Sequence, residues 1–237
     1  MKLLLASLSI AAVCSAVHGY TYGLGKSWVI GQGSTSSISK VTTTFNPGTP
    51  PSDQAGELIL YPAMSNGTGD ILMTSVESWS DQSWCGATLG QWCIRPQVFS
   101  DRQSNFGPFV PLDANTPVTF VFERNADKSG WTQSSIINGE TVTQISWSSG
   151  PMTMFGVTTE CDDFCAMTIS QQTYTNTVIE LEEADSSWNS TAVVGSQVYG
   201  DGTDNVTGQK PTAVTGMSIS EGGRVWSVDQ IMIPPLN

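Results

Sequence analysis

The chain of 237 residues holds a single histidine, His18, and only nine lysines and arginines against 21 acidic residues. Histidine is the usual general base near neutral pH and the commonest metal ligand. Its scarcity argues against Ser-His-Asp hydrolysis, Cys-His chemistry and histidine-ligated zinc or copper together. An N-terminal histidine copper brace would need a second histidine, and the sequence has none. The formal charge of −12, with the basic residues scattered, leaves no patch for phosphates, so no nucleic-acid partner is expected. Absent as well are an apolar run long enough to span a bilayer and any stretch of sustained helical periodicity.

What is present begins with Lys2, an apolar run over 3–13 and the small residues Cys14-Ser15-Ala16. This pattern reads as a secretory signal over 1–19, leaving 20–237 as one domain of a secreted or secretory-lumen protein. Once Cys14 is discounted, Cys85, Cys93, Cys161 and Cys165 remain, an even set on an oxidising route. Their short spacings favour Cys85–Cys93 and Cys161–Cys165, with the other connectivities open. Sequons at Asn66, Asn189 and Asn205 agree with that route and place those segments at the surface.

Short β-rich runs bounded by Gly, Pro, Asn, Asp and Ser recur along the chain. They predict strands over 27–30, 39–45, 57–61, 70–79, 91–99, 117–124, 131–138, 140–147, 153–158, 167–170, 175–182, 213–220 and 225–233. Asn138-Gly139 between two alternating runs is the clearest hairpin turn. The fold class is all-β, a two-sheet antiparallel β-sandwich of jelly-roll or concanavalin-like type. The proline-rich 46–55 reads as a loop, and 187–209 as the longest excursion.

Five of the eight tryptophans fall between Trp79 and Trp147. Tryptophans fill cores and also close binding grooves. Side-chain alternation places Met73, Ser75, Glu77 and Trp79 on one face of a strand. On the next strand Cys93, Arg95, Gln97 and Phe99 share a face opposite Trp92, and in the hairpin Trp131, Gln133 and Ser135 lie together. Arg95, mid-strand, is either a buried paired arginine or a donor to a ligand. An inward-pointing Glu180 or Glu182 would have a raised pKa suited to acid–base work, and Glu77 with Glu123 is a candidate carboxylate pair for glycoside hydrolysis. Glu160-Cys161-Asp162-Asp163 lacks the spacing of a calcium loop, so no metal or other cofactor is called for.

Two family resemblances follow from these residues. Trp28-Val29-Ile30-Gly31, Val41-Thr42-Thr43-Thr44-Phe45-Asn46-Pro47 and Ile71-Leu72-Met73-Thr74-Ser75 resemble segments of the fungal glutamic peptidase sandwich. Met73 stands where that family has its catalytic glutamine, and 175–182 does not match the Glu-Trp strand that carries its glutamate. A thioether neither orients a nucleophilic water nor supplies an amide proton.

The chain also resembles, in length, leader and sequons, the fungal hetero-Diels–Alderases of tropolone-sesquiterpenoid (meroterpenoid) pathways. That resemblance implies a cycloaddition between a quinone methide and a macrocyclic sesquiterpene such as humulene. Such a reaction needs no histidine or metal, only a dry pocket and a few donors. Arg95, Gln97 and Gln133 would be the polar handles, with Met73, Trp79, Trp92, Trp131 and Tyr174 against small apolar or aromatic substrates. The other readings are a non-catalytic carbohydrate-binding or interaction sandwich with exposed tryptophans and a glycan-cleaving or glutamic-peptidase relative with an altered dyad. N-terminal sequencing of the secreted chain is expected to begin at Val17 or Tyr20; a start at Met1 would remove the leader assignment.

Overall fold

The computed structural model describes residues 22–67, 69–162, 169–195 and 212–235. The expected leader, Cys165 and Asn205 lie outside the described residues, as do 167 and 168 of the 167–170 run. The strands are β1 (Tyr22–Ile30), β2 (Ile38–Asn46), β3 (Glu57–Ser65), β4 (Ile71–Trp79), β5 (Gln91–Ser100), β6 (Gln103–Phe106), β7 (Val110–Asp113) and β8 (Val118–Arg124). They continue with β9 (Trp131–Ile137), β10 (Glu140–Trp147), β11 (Met154–Asp162), β12 (Gln172–Leu181), β13 (Val193–Gly195), β14 (Ala213–Thr215), β15 (Ser218–Ser220) and β16 (Val225–Ile233).

Among the described residues the strand pairings are all antiparallel, and they form two sheets. The first runs β13-β1-β11-β3-β4-β5-β6 with β7 also on β5; the second runs β10-β9-β8-β2-β12-β16-β14 with β15 also on β16. The all-β sandwich expected from the strand spacing is the observed fold. Among the described residues no helix is long and apolar enough to cross a membrane.

Local sequence explains the turns. Asn138 and Gly139 both take positive φ, at 52° and 84°, and pair Ile137 with Glu140 across the β9–β10 hairpin, as a tight hairpin loop demands. The predicted 213–220 strand is instead broken into β14 and β15 at Gly216, where φ is +67° and a Cβ would fall 2.0 Å from Asp229 Oδ2. Short β6 and β7 were not expected; both add to β5, Phe106 opposite Gln97 and Leu112 opposite Trp92.

The core lies between the sheets. In β8, Val118, Phe120 and Phe122 are fully buried while Thr119, Val121 and Glu123 alternate outward, the period-2 pattern of a half-solvated strand. Phe45 stacks on Tyr174 at 4.3 Å, and Trp28 meets Phe155 edge-on at 6.4 Å. In β3 and β4, by contrast, nearly every residue is buried. Their core-facing set is Leu58, Leu60, Met64, Leu72 and Val76, and a second apolar cluster of Ile59, Tyr61, Ala63, Ile71, Met73 and Phe99 occupies the outer face. This outer face, turned away from the second sheet, is where the chemistry collects. Trp131→Ala removes a wholly buried ring and is expected to cost about 3–5 kcal/mol in urea unfolding; a loss below about 1 kcal/mol would contradict its core position.

Candidate functional site on the outer face of the first sheet

The outer-face residues come from β11, β3, β4 and β5, whose register sets them in rows. Asp162, Glu57 and Trp79 form one row, Glu160, Ile59, Glu77 and Cys93 the next, and Gly156, Ala63, Met73, Gln97 and Phe106 another. Between these rows Thr158 pairs with Tyr61 and Ser75 with Arg95. One end of the face is therefore acidic and the other apolar, with Tyr61, Ser75 and Arg95 at the boundary.

Arg95 organises the acidic end. Its Nε donates to Glu77 Oε1 at 2.7 Å and its Nη2 to Glu57 Oε1 at 2.9 Å. Its guanidinium also lies 5.5 Å from the Trp79 ring, 5.5 Å from Trp84 and 4.8 Å from Phe106, distances at which ring faces attract a cation. Glu77, wholly buried, accepts further bonds from Trp79 Nε1 at 2.8 Å and from Ser75 Oγ. The Cys85–Cys93 disulfide ties the short turn Ser83–Cys85 to β5. It thereby holds Trp84 beside Trp79, ring centroids 5.4 Å apart.

One arginine among several carboxyls leaves negative charge to be shed. Burial first, then repulsion from Glu77, pushes Glu57 up to about 9 against the pull of Arg95. The Glu57–Arg95 contact is thus better described as a neutral carboxyl accepting from the guanidinium than as a full ion pair. Burial and then the Asp162 charge raise Glu160 to about 7, although Tyr61 OH donates to its Oε2 at 2.9 Å. Near neutrality the face therefore holds a protonated acid, a poised acid and an arginine.

Among the residues expected at a site, Met73, Trp79, Arg95 and Gln97 do share this face, as alternation required. Met73 is 5 % exposed, and Gln97 Nε2 is engaged by Ser104 Oγ at 2.9 Å. Gln133, Trp92, Trp131 and Tyr174 do not belong to it. All four are buried between the sheets. Gln133 Nε2 donates to Gln97 O at 3.1 Å and its Oε1 accepts from Thr74 Oγ1 at 3.3 Å. The Trp92 and Trp131 indoles donate to Gly48 O and Gly150 O. The Tyr174 hydroxyl is kept from ionising by burial. Alternation gives the face of a strand but not which face looks into the core.

The other carboxylates are likewise corrected. Glu123 lies on the outer side of the second sheet, paired with Lys40 at 3.0 Å, so it does not converge with Glu77. Glu180 is also on the second sheet, and Glu182 just beyond β12 is engaged by Arg124 and Lys128. Neither faces Met73. Cys161 is disulfide-bonded. Asn66 follows β3 in the turn to β4, and Asn189 lies in the turn Trp188–Thr191. The tryptophans form no coplanar exposed row: Trp79 and Trp84 are tilted by 57°, and Trp28, Trp92, Trp131, Trp188 and Trp226 are buried. Missed from sequence were Glu57, Tyr61 and Trp84, together with Glu160's part in the site. A glutamate opening an otherwise apolar strand, two residues before Ile59, was the available signal for Glu57.

No family model and no curated protein matches the chain. Among solved structures it is similar to scytalido-glutamic peptidase with a transition state analog inhibitor, at 15% identity and TM-score 0.53, over 89% of this chain and 98% of that one. A second structure of that peptidase, with a peptide based transition state analog, gives 15% identity and TM-score 0.50 over the same shares. SCP-B, a member of the eqolisin family of peptidases in a complex with a tripeptide Ala-Ile-His, gives 14% identity and TM-score 0.46, again over 89% and 98%. The likeness establishes the sandwich fold.

The two raised carboxyls act on stability with one sign. Each keeps in the folded state a proton that the unfolded chain releases above about 4.5, so their contribution is full below that pH and is lost as pH rises toward about 7 for Glu160 and about 9 for Glu57. For Glu160 the displacement from 4.5 to about 7 corresponds to roughly 3 kcal/mol. The melting temperature is expected to fall from about pH 5 to about pH 8, and to fall less in Glu160→Gln, whose amide does not titrate. A rise over that window would contradict the protonated carboxyls.

Proposed function

We propose that the outer face of the first sheet is the active site of an enzyme related in fold to glutamic peptidases but with an altered dyad. It polarises a carbonyl-type oxygen of a compact apolar substrate by hydrogen-bond donation. The observation that carries this reading is the join, on one sheet face, between a buried apolar floor of Ala63, Ile71, Met73 and Phe99 and the Arg95 guanidinium, flanked by neutral Glu57. Glu57, held neutral and hydrogen-bonded to Glu77, removes a charge that would repel an oxygen gaining negative charge beside Arg95. The Met73 row holds Gly156, Ala63, Gln97 and Phe106 and no carboxylate; the glutamates of the face, Glu57, Glu77 and Glu160, lie in rows nearer the Trp79 end.

The reaction that suits these parts is the hetero-Diels–Alder cycloaddition of a quinone methide with a macrocyclic sesquiterpene such as humulene. One C–C and one C–O bond form, three π bonds become one, and nothing is released. No base or nucleophile is required; the enzyme holds the partners in a near-attack pose and stabilises charge growing on the heterodiene oxygen. The second reading, hydrolysis, is favoured by the likeness in fold and by Glu160, whose pKa of about 7 suits general acid–base work.

The assay pairs both substrate classes. With a quinone-methide precursor and humulene, the protein is expected to raise the adduct rate and impose one stereochemistry. Arg95→Lys, which keeps the charge beside Glu77 but loses the planar fork, is expected to lower that rate roughly 100-fold with near-ultraviolet circular dichroism retained. An adduct rate and stereochemistry equal to those without protein, together with proteolysis abolished by Glu160→Gln, would replace the first reading by the second.

A further inference from the structure

A second site lies beyond the Trp79 end of β4, in a cavity of about 280 Å³ between the 50–54 loop and the 80–90 loop. It is close to the lower limit of roughly 300 Å³ for small-ligand pockets, which restricts the occupant to a small unit. It is lined by Trp79, Pro50, Pro51 and the well-exposed Leu89 together with Asp53, Gln54, Asp81 and several serines.

Three features narrow the ligand. No lysine or arginine lines the cavity, and Asp81 is held below the usual carboxylate range by the Ser83 backbone and side chain, so an anion is repelled. The β4 residues at its floor already pair with β3, Trp79 opposite Glu57, and β4 pairs along its other side with β5. No free strand edge is offered there to an extended peptide. Finally, both amide atoms of the half-buried Gln54 are shielded from water and have no hydrogen-bond partner. A shielded amide with neither its donor nor its acceptor matched is costly. Turning that amide toward the cavity breaks no hydrogen bond.

We propose that this cavity is a binding site for a neutral saccharide unit. Carboxylates at Asp53 and Asp81 accept from sugar hydroxyls, the Gln54 amide both donates and accepts, and the C–H face of the ring packs on Trp79 and the prolines. The site shares Trp79 with the sheet face but does not rest on the cycloaddition or hydrolysis assigned there.

Titration of the full secreted chain with cellobiose, mannobiose and chitobiose, followed by ¹H–¹⁵N spectra, is expected to give saturable shifts of the Gln54 side-chain amide and the Trp79 indole with at least one sugar. Gln54→Leu and Asp53→Ala, both in a surface loop, are expected to weaken that binding by roughly fivefold or more each. Absence of shifts with all three sugars overturns the proposal. So does affinity unchanged in Gln54→Leu, or the same signals moving only with a neutral tripeptide.

Discussion

Glu77 sits at zero exposure, and the outer face of the first sheet is arranged around keeping it paired. Arg95 meets it from β5, Trp79 from two residues along its own strand and Ser75 from two residues before. A buried carboxylate stripped of such partners typically destabilises a fold by about 3–5 kcal/mol, whereas the intact pair contributes little net stability. Its value lies in placement: Arg95, fixed through Nε and Nη2, becomes the centre on which Trp79, Trp84 and Phe106 converge.

The protonation pattern follows from that pairing. A single guanidinium compensates one carboxylate well, and Glu77 takes it. Glu57 and Glu160, on neighbouring strands and largely out of water, are left to lower their cost by holding protons. A chain with 21 acidic residues and nine lysines and arginines thus produces one neutral acid and one poised acid at its candidate site, and it does so without imidazole.

The likeness to scytalido-glutamic peptidase lies in the sandwich, which spans 98% of that chain. Backbone pairing and an inter-sheet core depend on alternation and volume rather than on which outward groups react, so a shared fold does not fix the chemistry of a face. Here the row containing Met73 presents a thioether, a methyl, a glycine, the Gln97 amide and the Phe106 ring. The acid groups sit instead at Glu57, Glu77 and Glu160, toward the β4–β5 loop and its disulfide.

Much of the architecture was legible in the sequence. Asn138-Gly139, the alternation in β8 and the spacing of strands reflect local rules of turn geometry and side-chain direction, and they pointed to the all-β sandwich; the short spacing of Cys85 and Cys93 favoured the disulfide that joins them. The same rules grouped Met73 with Glu77 and Trp79, and Cys93 with Arg95 and Gln97. What local rules leave open is which of a strand's two faces meets the other sheet. That choice sent Gln133, Trp92, Trp131 and Tyr174 into the core and gathered Glu57, Tyr61 and Glu160, far apart in the chain, around Arg95. Sequence alone determined the repertoire, a tryptophan-rich β chain poor in bases. Only the tertiary structure decided that the half-buried Arg95 serves several carboxyls, because burial and charge repulsion act through space between strands brought together by pairing.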